Sequence, residues 1–431
     1  MRATSQKGHD PMGWLVHTSW GRRLEAGLTL ATTVARVVLV AVLGRPIGML
    51  SLGFLAVCVV AHRPIRNWMI ALYRRERLER HYGKVFAAIG LDTAAAPAVL
   101  AQYATPSGAV LDIVLYPRCT ATDLAAMTEP MAVALGVARV RVKEDTSAAH
   151  RARLVLVERD PLAEAPVPWP WAGVVRTDLW GGVPLGYDED NSLVTLELAG
   201  HHLLLGGEPG AGKSNALSLV VASAALDPDS QLWCFDGKLV ELAAWRRSAR
   251  RFVGADIERA TEVLGELRAE MEDRYTLLLE QGLRKVDEST GVGLIVVVID
   301  ELALYTQGKG NARDQFVELL RDIVARGRAA GIVVVAATQK PASDIVPTSI
   351  RDLFGCRLAL RCSTRDASDT VLGAGWATEG YSASDIDPAH RGVGCLLAEG
   401  TVPVRMRCFV LEDGPLANLA RRAERLRGTD Q

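Results

Sequence analysis

The sequence has no excess of charge of either sign. Its 431 residues carry 49 basic and 50 acidic side chains, which leaves a net charge of −1. A global positive field of the kind that attracts nucleic acid is therefore excluded, and any such binding must come from local loops. The seven cysteines contain no C-x-x-C pair, and most lie in or beside apolar stretches. That pattern indicates buried thiols in a reducing compartment and no zinc site.

An uninterrupted apolar run of full membrane-spanning length is also missing. Residues 26–44 are apolar but contain Arg36, and residues 46–61 fall short of the roughly 20 residues that a span needs. Arginines from Arg63 onward follow the second stretch, whereas the turn between the stretches holds only Arg45. Because this asymmetry is typical of a hairpin with both ends in the cytosol, we predict a multi-pass protein of the cell membrane with two spans. One buried hairpin or a signal peptide is the alternative.

A glycine-rich stretch follows a short apolar run in the middle of the chain. Residues 202–205 predict a buried strand, and residues 207–214 fit G-x-x-x-x-G-K-S, the Walker A pattern, at the start of a helix. Such a loop wraps backbone N–H groups around the phosphates of ATP, while Lys213 reaches the β- and γ-phosphates and the Ser214 hydroxyl binds Mg²⁺. A plain strand-to-helix turn is the alternative. The predicted nucleotide-binding residues are Gly207, Glu208, Pro209, Gly210, Ala211, Gly212, Lys213, Ser214 and Asn215.

Polar residues end two further apolar runs that read as buried strands. Residues 294–299 (LIVVVI) are followed by Asp300 and Glu301, and residues 332–337 by Thr338 and Gln339. An acid after such a strand holds Mg²⁺ in P-loop enzymes, which assigns that role to Asp300. Glu301 is the candidate general base for the attacking water, and Gln339 the candidate sensor of the γ-phosphate. Taken singly, such residues are more often helix caps or turn residues.

The order of predicted strands and helices indicates an α/β protein with a mostly parallel sheet and nucleotide at its carboxyl edge. A proline-rich stretch, PLAEAPVPWPW, separates a smaller α/β region from the domain that contains the glycine-rich loop. The C-terminal tail is either a short basic helix or disordered. The predicted segments are a polar tail (1–23), two transmembrane helices with a basic helix (24–82), a small α/β domain (83–160), a Pro/Trp-rich linker (161–183), the P-loop domain (184–412) and a C-terminal tail (413–431).

Several segments outside the glycine-rich loop resemble those of one known family. Residues 235–242 (FDGKLVEL) look like its D-P-K-x-x-E-L segment, with Gly237 where proline is usual, and residues 270–275 are similar to its E-M-E-x-R-Y helix. Further matching segments are 328–331, 337–341, 357–361, 366–372 and 394–397. Over residues 184–412 the chain therefore resembles the FtsK/SpoIIIE family of membrane-anchored, DNA-translocating ATPases.

The resemblance implies a RecA-like fold and a homo-hexameric ring with double-stranded DNA in its pore. DNA would be held through its phosphates without sequence reading. ATP and Mg²⁺ are the implied cofactors, with hydrolysis between subunits, where an arginine from the neighbour stabilises the transition-state charge. Arg357 and Arg361 are the candidates for that arginine. Alternatively, one or both only pair with acids at the subunit surface.

The chain departs from the cell-division members of this family. It lacks their long linker and their four membrane spans, and residues after 412 leave no room for a winged-helix domain. It is closer to the short transfer proteins of actinobacterial conjugative elements, so we expect a role in conjugal DNA transfer or in chromosome or plasmid partitioning. A type VII secretion-like protein-export ATPase is the alternative. A non-catalytic nucleotide-binding subunit is a third hypothesis, and the complete Walker residues argue against it.

Overall fold

The computed structural model describes residues 63–91, 95–105, 107–145, 147–339 and 348–428. The strands are β1 (Ala98–Thr105), β2 (Gly108–Val114), β3 (Arg139–Glu144), β4 (Arg151–Val157), β5 (Val183–Asp188), β6 (Leu193–Leu196), β7 (Leu203–Gly206), β8 (Gln231–Phe235), β9 (Arg251–Val253), β10 (Ile295–Ile299), β11 (Ile332–Thr338), β12 (Cys356–Leu360), β13 (Val393–Leu397) and β14 (Val404–Cys408). The helices are α1 (Arg63–Ala88), α2 (Ala121–Ala126), α3 (Thr128–Leu135), α4 (Lys213–Leu226), α5 (Ile257–Gln281), α6 (Leu302–Thr306), α7 (Asn311–Arg326), α8 (Thr348–Arg351), α9 (Arg365–Leu372) and α10 (Asp413–Gly428).

These elements form two compact units, the larger of which contains residues 155–428 and the short segments Tyr103–Val110 and Leu135–Arg141. The first four strands make a sheet in the order β1-β2-β4-β3. Helix α2 begins with a capping box, in which Thr120 accepts the Asp123 N–H and the Asp123 carboxylate accepts the Thr120 N–H at 2.8 Å. This arrangement satisfies donors that the first turn of a helix otherwise leaves free.

The remaining ten strands form one large sheet, in the order β6-β5-β14-β13-β12-β7-β11-β10-β8-β9. The six strands from β12 to β9 are parallel, and the four on the other side are antiparallel. Strand β11 lies between β7 and β10, so the glycine-rich loop and the two polar strand ends meet at one edge. The predicted α/β fold with a mostly parallel sheet is confirmed for this P-loop domain.

Helices cover both faces of the large sheet. Val296 and Val298 of β10 belong to a core cluster with Leu217 of α4 and Leu419 of α10. The alternate residues of the same strand, Ile295, Val297 and Ile299, pack with side chains of α5 and α7 in a second cluster. Since side chains alternate along a strand, burial on both faces explains the continuous apolar sequence of β10.

Residues 270–275, which resemble the family's E-M-E-x-R-Y segment, lie in α5 and hold this helix against neighbouring segments. The Arg274 guanidinium is buried and donates to the backbone oxygens of Gly293 and Ala330, both at 2.9 Å. The neighbouring Tyr275 hydroxyl donates to the Arg326 carbonyl at 2.5 Å. These contacts fix α5 to the chain before β10, before β11 and at the end of α7, and they satisfy carbonyls left over at element ends.

Residues of the predicted Pro/Trp-rich linker and of the predicted C-terminal tail both pack onto the large domain. Trp169 is buried, and its indole N–H donates to the Pro184 carbonyl at 3.0 Å. The C-terminal segment, for which the sequence left a helix or disorder open, forms α10, with Leu419 and Ala423 buried. Arg427 of this helix donates to the carbonyl of Ala224 in the last turn of α4 and to that of Ser230 just after it.

The predicted membrane location requires a correction. No helix in the described part of the chain combines the length and the apolar character that a membrane span requires. The two longest, α1 and α5, each contain several arginines and glutamates, and charges inside a bilayer are costly. This finding overturns the prediction of a multi-pass cell-membrane protein, and the transmembrane hairpin is not part of the described fold. The stretches 26–44 and 46–61 themselves lie outside the described residues.

Candidate active site

The glycine-rich loop connects β7 to α4 in the way the Walker pattern predicts. Gly212 precedes the helix with a left-handed φ of +106°, and a Cβ there would lie 2.8 Å from the backbone nitrogen of Gly392. The Gly392 N–H in turn donates to the Ala211 carbonyl at 2.9 Å. Only glycine fits this position, because both the backbone conformation and the space exclude a side chain. Ser214 follows Lys213 in the first turn of α4.

Lys213 reaches from the first turn of α4 to the end of β10. Its side chain is buried, and Nζ lies 3.5 Å from the Asp300 carbonyl oxygen and 3.8 Å from Glu301 Oε2. Burial lowers the pKa of Lys213, and the two carboxylates oppose this shift. The ammonium group therefore lies between the glycine-rich loop and the acids.

The side-chain carboxylate of Asp300 is buried and accepts no hydrogen bond from the described residues. Its residue is 1% exposed, and neither carboxylate oxygen has a partner among the described residues. Burial raises the pKa of Asp300 to about 6. An unpaired buried carboxylate is costly unless a ligand or ion satisfies it. A hard divalent cation prefers such oxygens, so the residues present fit Mg²⁺, with Asp300 and Ser214 as candidate ligands.

Glu301 is held by several donors instead. Oε1 accepts the Thr338 hydroxyl at 3.1 Å and the Gln339 backbone N–H at 3.2 Å. Two lysines flank Oε2, with Nζ of Lys213 at 3.8 Å and Nζ of Lys238 at 3.9 Å. Donors at the end of β11 thus orient the Glu301 carboxylate, and two lysines place positive charge beside Oε2. A base that must point at a water molecule requires such an orientation.

Some of these contacts were not predicted from the sequence. Lys238 lies in the segment that resembles the family's D-P-K-x-x-E-L pattern, but that resemblance assigned it no role. Thr338 was noted only as a strand end. The role of the Gln339 amide as a sensor of the γ-phosphate stays a prediction. Lys340 and Pro341, the end of the matching segment 337–341, lie outside the described residues.

The remaining predicted residues make contacts within their own subunit. Arg361 Nη1 donates to the Glu208 carboxylate of the glycine-rich loop at 2.7 Å. Arg357 donates to the carbonyls of Phe354 and Leu372, at 2.9 and 3.1 Å. The Arg361 contact is the acid pairing that the sequence left as an alternative, and a role in a neighbouring subunit stays a prediction for both arginines.

Asn215, predicted to bind nucleotide, connects α4 to the chain after β14. Its amide donates to the Phe409 carbonyl at 2.6 Å and accepts the Leu411 N–H at 2.9 Å. Both ends of the amide are therefore engaged with backbone in this structure. These bonds fix the first turn of α4, which carries Lys213 and Ser214, against the antiparallel side of the sheet.

Comparison with known proteins identifies the domain that holds this site. Residues 176–371 match the model of the FtsK/SpoIIIE family. The DNA translocase FtsK of Chlorobaculum tepidum is 29% identical over 227 residues, which cover 47% of this chain and 28% of that protein. The DNA translocase FtsK of Staphylococcus aureus strain Mu50 is 27% identical over 225 residues, with the same coverage of 47% and 28%. The match thus spans less than a third of the length of these relatives.

Solved structures share the fold. The pCW3 conjugation coupling protein TcpA, in a monomer form with ATPγS, aligns with a TM-score of 0.52 over 75% of this chain and 93% of that chain, at 18% identity. EssC (ATPases 2 and 3) from Geobacillus thermodenitrificans aligns with a TM-score of 0.50 over 62% of this chain and 52% of that chain, at 17% identity. Identities this low show the fold alone. The sequence match and the site geometry agree that this chain contains a P-loop ATPase domain, and residues 176–371 of that domain are similar to the FtsK/SpoIIIE family.

Proposed function

We propose that this chain couples ATP hydrolysis to the movement of double-stranded DNA. The observation that carries the proposal is the unpaired buried carboxylate of Asp300 beside Lys213, at the edge where the glycine-rich loop ends. That arrangement suits a Mg²⁺–nucleotide complex. The DNA substrate is inferred from the two FtsK relatives, which are named as DNA translocases and align with 47% of this chain.

The residues divide the chemistry among them. Backbone N–H groups of residues 207–214 and the start of α4 bind the phosphates, and Lys213 turns from Asp300 to the β- and γ-phosphates. Bound Mg²⁺, held by Asp300 and Ser214, would neutralise charge that develops on the phosphate oxygens. Glu301 takes a proton from the attacking water while Thr338 and the Gln339 N–H hold its carboxylate in place. Gln339 contacts the γ-phosphate through its amide.

The working assembly in this proposal is a homo-hexameric ring around the DNA, with contacts to phosphates in place of base reading. Conjugal transfer between cells, or chromosome or plasmid partitioning, is the proposed use. Hydrolysis between subunits calls for an arginine from the neighbour, and Arg357 and Arg361 are the two candidates from the sequence. We favour Arg357, because Arg361 is already paired with Glu208 of the glycine-rich loop in its own subunit. Arg357 must first leave the carbonyls of Phe354 and Leu372.

The test is the rate of ATP hydrolysis by the full chain, with and without linear double-stranded DNA. We expect DNA to stimulate hydrolysis, and Glu301→Gln to remove the stimulated rate while nucleotide still binds. Glu288→Gln is the matched control, since Glu288 is exposed in the loop before β10, at the opposite edge of the sheet from the site. It should behave as wild type.

Hydrolysis that is indifferent to DNA would contradict the DNA-motor proposal and favour the protein-export alternative. The fold it shares with EssC is compatible with either substrate, so only the response to DNA separates them. Absence of any hydrolysis in the wild-type chain, with nucleotide bound, would contradict the proposal in full.

A further inference from the structure

The segment between β8 and the short 3₁₀ helix Ala243–Trp245 approaches the site without a role in the chemistry described so far. Strand β8 pairs with β10 in parallel, and Phe235 lies opposite Ile299. The Asp300 N–H donates to the Phe235 carbonyl at 3.1 Å. Residues 236–242 therefore leave the sheet beside the two acids of the site.

This segment is held rigidly. The carboxylate of Asp236, which is buried, accepts the N–H groups of Lys238 at 3.2 Å and Leu242 at 2.8 Å. A Cβ at Gly237 would lie 2.4 Å from Leu304 Cδ1, so the backbone here packs closely against the Leu304 side chain of α6. The bonds to the Asp236 carboxylate and the contact between Gly237 and Leu304 thus fix the position of the Lys238 backbone.

The residue after Lys238 adopts a costly conformation. Leu239 has a φ of +55°, in the left-handed region that residues other than glycine rarely adopt. Its side chain is largely exposed, so burial of Leu239 does not explain the conformation. Strain of this kind persists where the surroundings fix the chain and often accompanies function. Here it accompanies a turn that directs Lys238 back to the site.

Lys238 Nζ lies 3.9 Å from Glu301 Oε2, on the same oxygen that Lys213 approaches to 3.8 Å. The two lysines differ in environment, because the side chain of Lys213 is 4% exposed and that of Lys238 is 43% exposed. Lys213 is needed by the phosphates once nucleotide binds. When it turns to them, Lys238 remains beside Glu301.

We propose that Lys238 is a positioning residue for Glu301, which keeps the carboxylate in place after Lys213 has moved to the phosphates. Its ammonium group attracts Oε2, to which the Gln339 N–H also donates at 3.3 Å, while Thr338 and the same N–H donate to Oε1. Both oxygens are therefore restrained during the proton transfer. Lys238 itself exchanges no proton and forms no bond. The inference rests on the proposed function, because it requires Glu301 to act on the attacking water.

The test compares Lys238→Met with Lys238→Arg in steady-state ATP hydrolysis by the full chain. Loss of a positioning contact should lower kcat by about tenfold while KM for ATP stays within about twofold, since the nucleotide itself is not contacted. Lys238→Arg should restore most of kcat because it keeps the charge. Lys285→Met is the matched control, an exposed lysine in the loop before β10 at the opposite edge of the sheet, and it should match wild type.

A double-mutant cycle tests whether Lys238 acts through Glu301. Adding Lys238→Met to Glu301→Gln should cost no further activity if the lysine works only on that carboxylate. Additive losses, a kcat of Lys238→Met within twofold of wild type, or a raised KM with unchanged kcat would each overturn the inference. A wild-type chain that hydrolyses ATP without response to DNA changes the proposed function and leaves this inference standing, whereas one that hydrolyses none overturns both.

Discussion

Thr338 donates its hydroxyl hydrogen to Glu301 Oε1 across 3.1 Å, from the last residue of β11 to the second residue after β10. The two strands are paired in parallel with Val298 opposite Val335 and Ile299 opposite Ala336. Both residues are buried, so the bond lies in a water-poor setting where orientation is well defined. The neighbouring strand thereby sets the direction of the proposed base.

Removing that hydroxyl should slow the chemistry without unfolding the protein. Thr338→Val keeps the shape of the side chain and removes the donor, so kcat for ATP hydrolysis should fall by about tenfold with little change in KM. Thr338→Ser keeps the hydroxyl and is the control, with activity near wild type. Equal rates for the valine and serine variants would show that the bond does not orient Glu301.

His202 makes the stability of the domain depend on pH. Its buried ring bonds to the Val324 carbonyl through Nε2 at 2.8 Å and accepts the Val334 N–H at Nδ1, 2.9 Å away, so the ring is neutral. Burial lowers the pKa of His202 to about 4. The unfolded chain takes up this proton below about pH 6.5, whereas the folded chain resists it to about pH 4. The stability that the neutral His202 ring contributes is therefore complete above about pH 6.5 and is lost as the pH falls towards about 4.

Urea unfolding of the wild type and of His202→Gln measures this effect. The stability difference between the two should shrink by about 2 kcal/mol from pH 7 to pH 5, because only the wild type has a histidine here to protonate on unfolding. His201, Arg328 and Glu399 also influence the ring, and all three are present in both proteins. A constant difference across this range would contradict the assignment of a neutral buried ring.

The sequence was sufficient to predict which residues gather at the edge of the sheet, but not how they contact one another. Continuous β-branched runs predict strands covered on both faces, and parallel strands place their carboxyl ends together, so Lys213, Asp300 and Glu301 were expected as neighbours. The bond from Thr338 and the approach of Lys238 depend on strand register and on one left-handed residue, Leu239. No local pattern encodes these, because they arise from packing between distant segments.

The four antiparallel strands of the large sheet could likewise not be placed from the sequence. Strand β5 pairs with β14, whose residues lie some two hundred positions later in the chain, and β14 pairs with β13. Pairing over such a separation is decided by the shape of the sheet edge that the parallel strands leave open. The helical tail posed the same problem, since a short basic segment such as α10 becomes stable only through the apolar residues that it buries.

Arg427 ties the C-terminal helix to the helix that carries Lys213. Its guanidinium donates to the carbonyls of Ala224, Asp227 and Ser230, at 2.9, 3.1 and 2.7 Å, at the end of α4. Carbonyls at a helix end lack partners, and a cation there is favourable. Arg427→Met should therefore lower the free energy of unfolding by about 1–3 kcal/mol. Arg421→Met, on the exposed side of α10, should change it by less than about 0.5 kcal/mol. Equal effects in urea unfolding would contradict the capping role.

The ion pair between Arg361 and Glu208 predicts that this arginine acts on the glycine-rich loop of its own subunit. The two side chains are 23% and 26% exposed, and the Glu208 N–H also donates to the Arg361 carbonyl at 3.0 Å. An arginine that served the neighbour instead would allow two inactive variants to assist each other. We expect that mixing Arg361→Ala with Lys213→Ala restores no ATP hydrolysis, because each subunit then lacks a residue that its own site needs. Wild type mixed with Lys213→Ala measures how many inactive subunits an assembly tolerates. Activity of the first mixture above the sum of its components would show instead that Arg361 reaches across the subunit boundary.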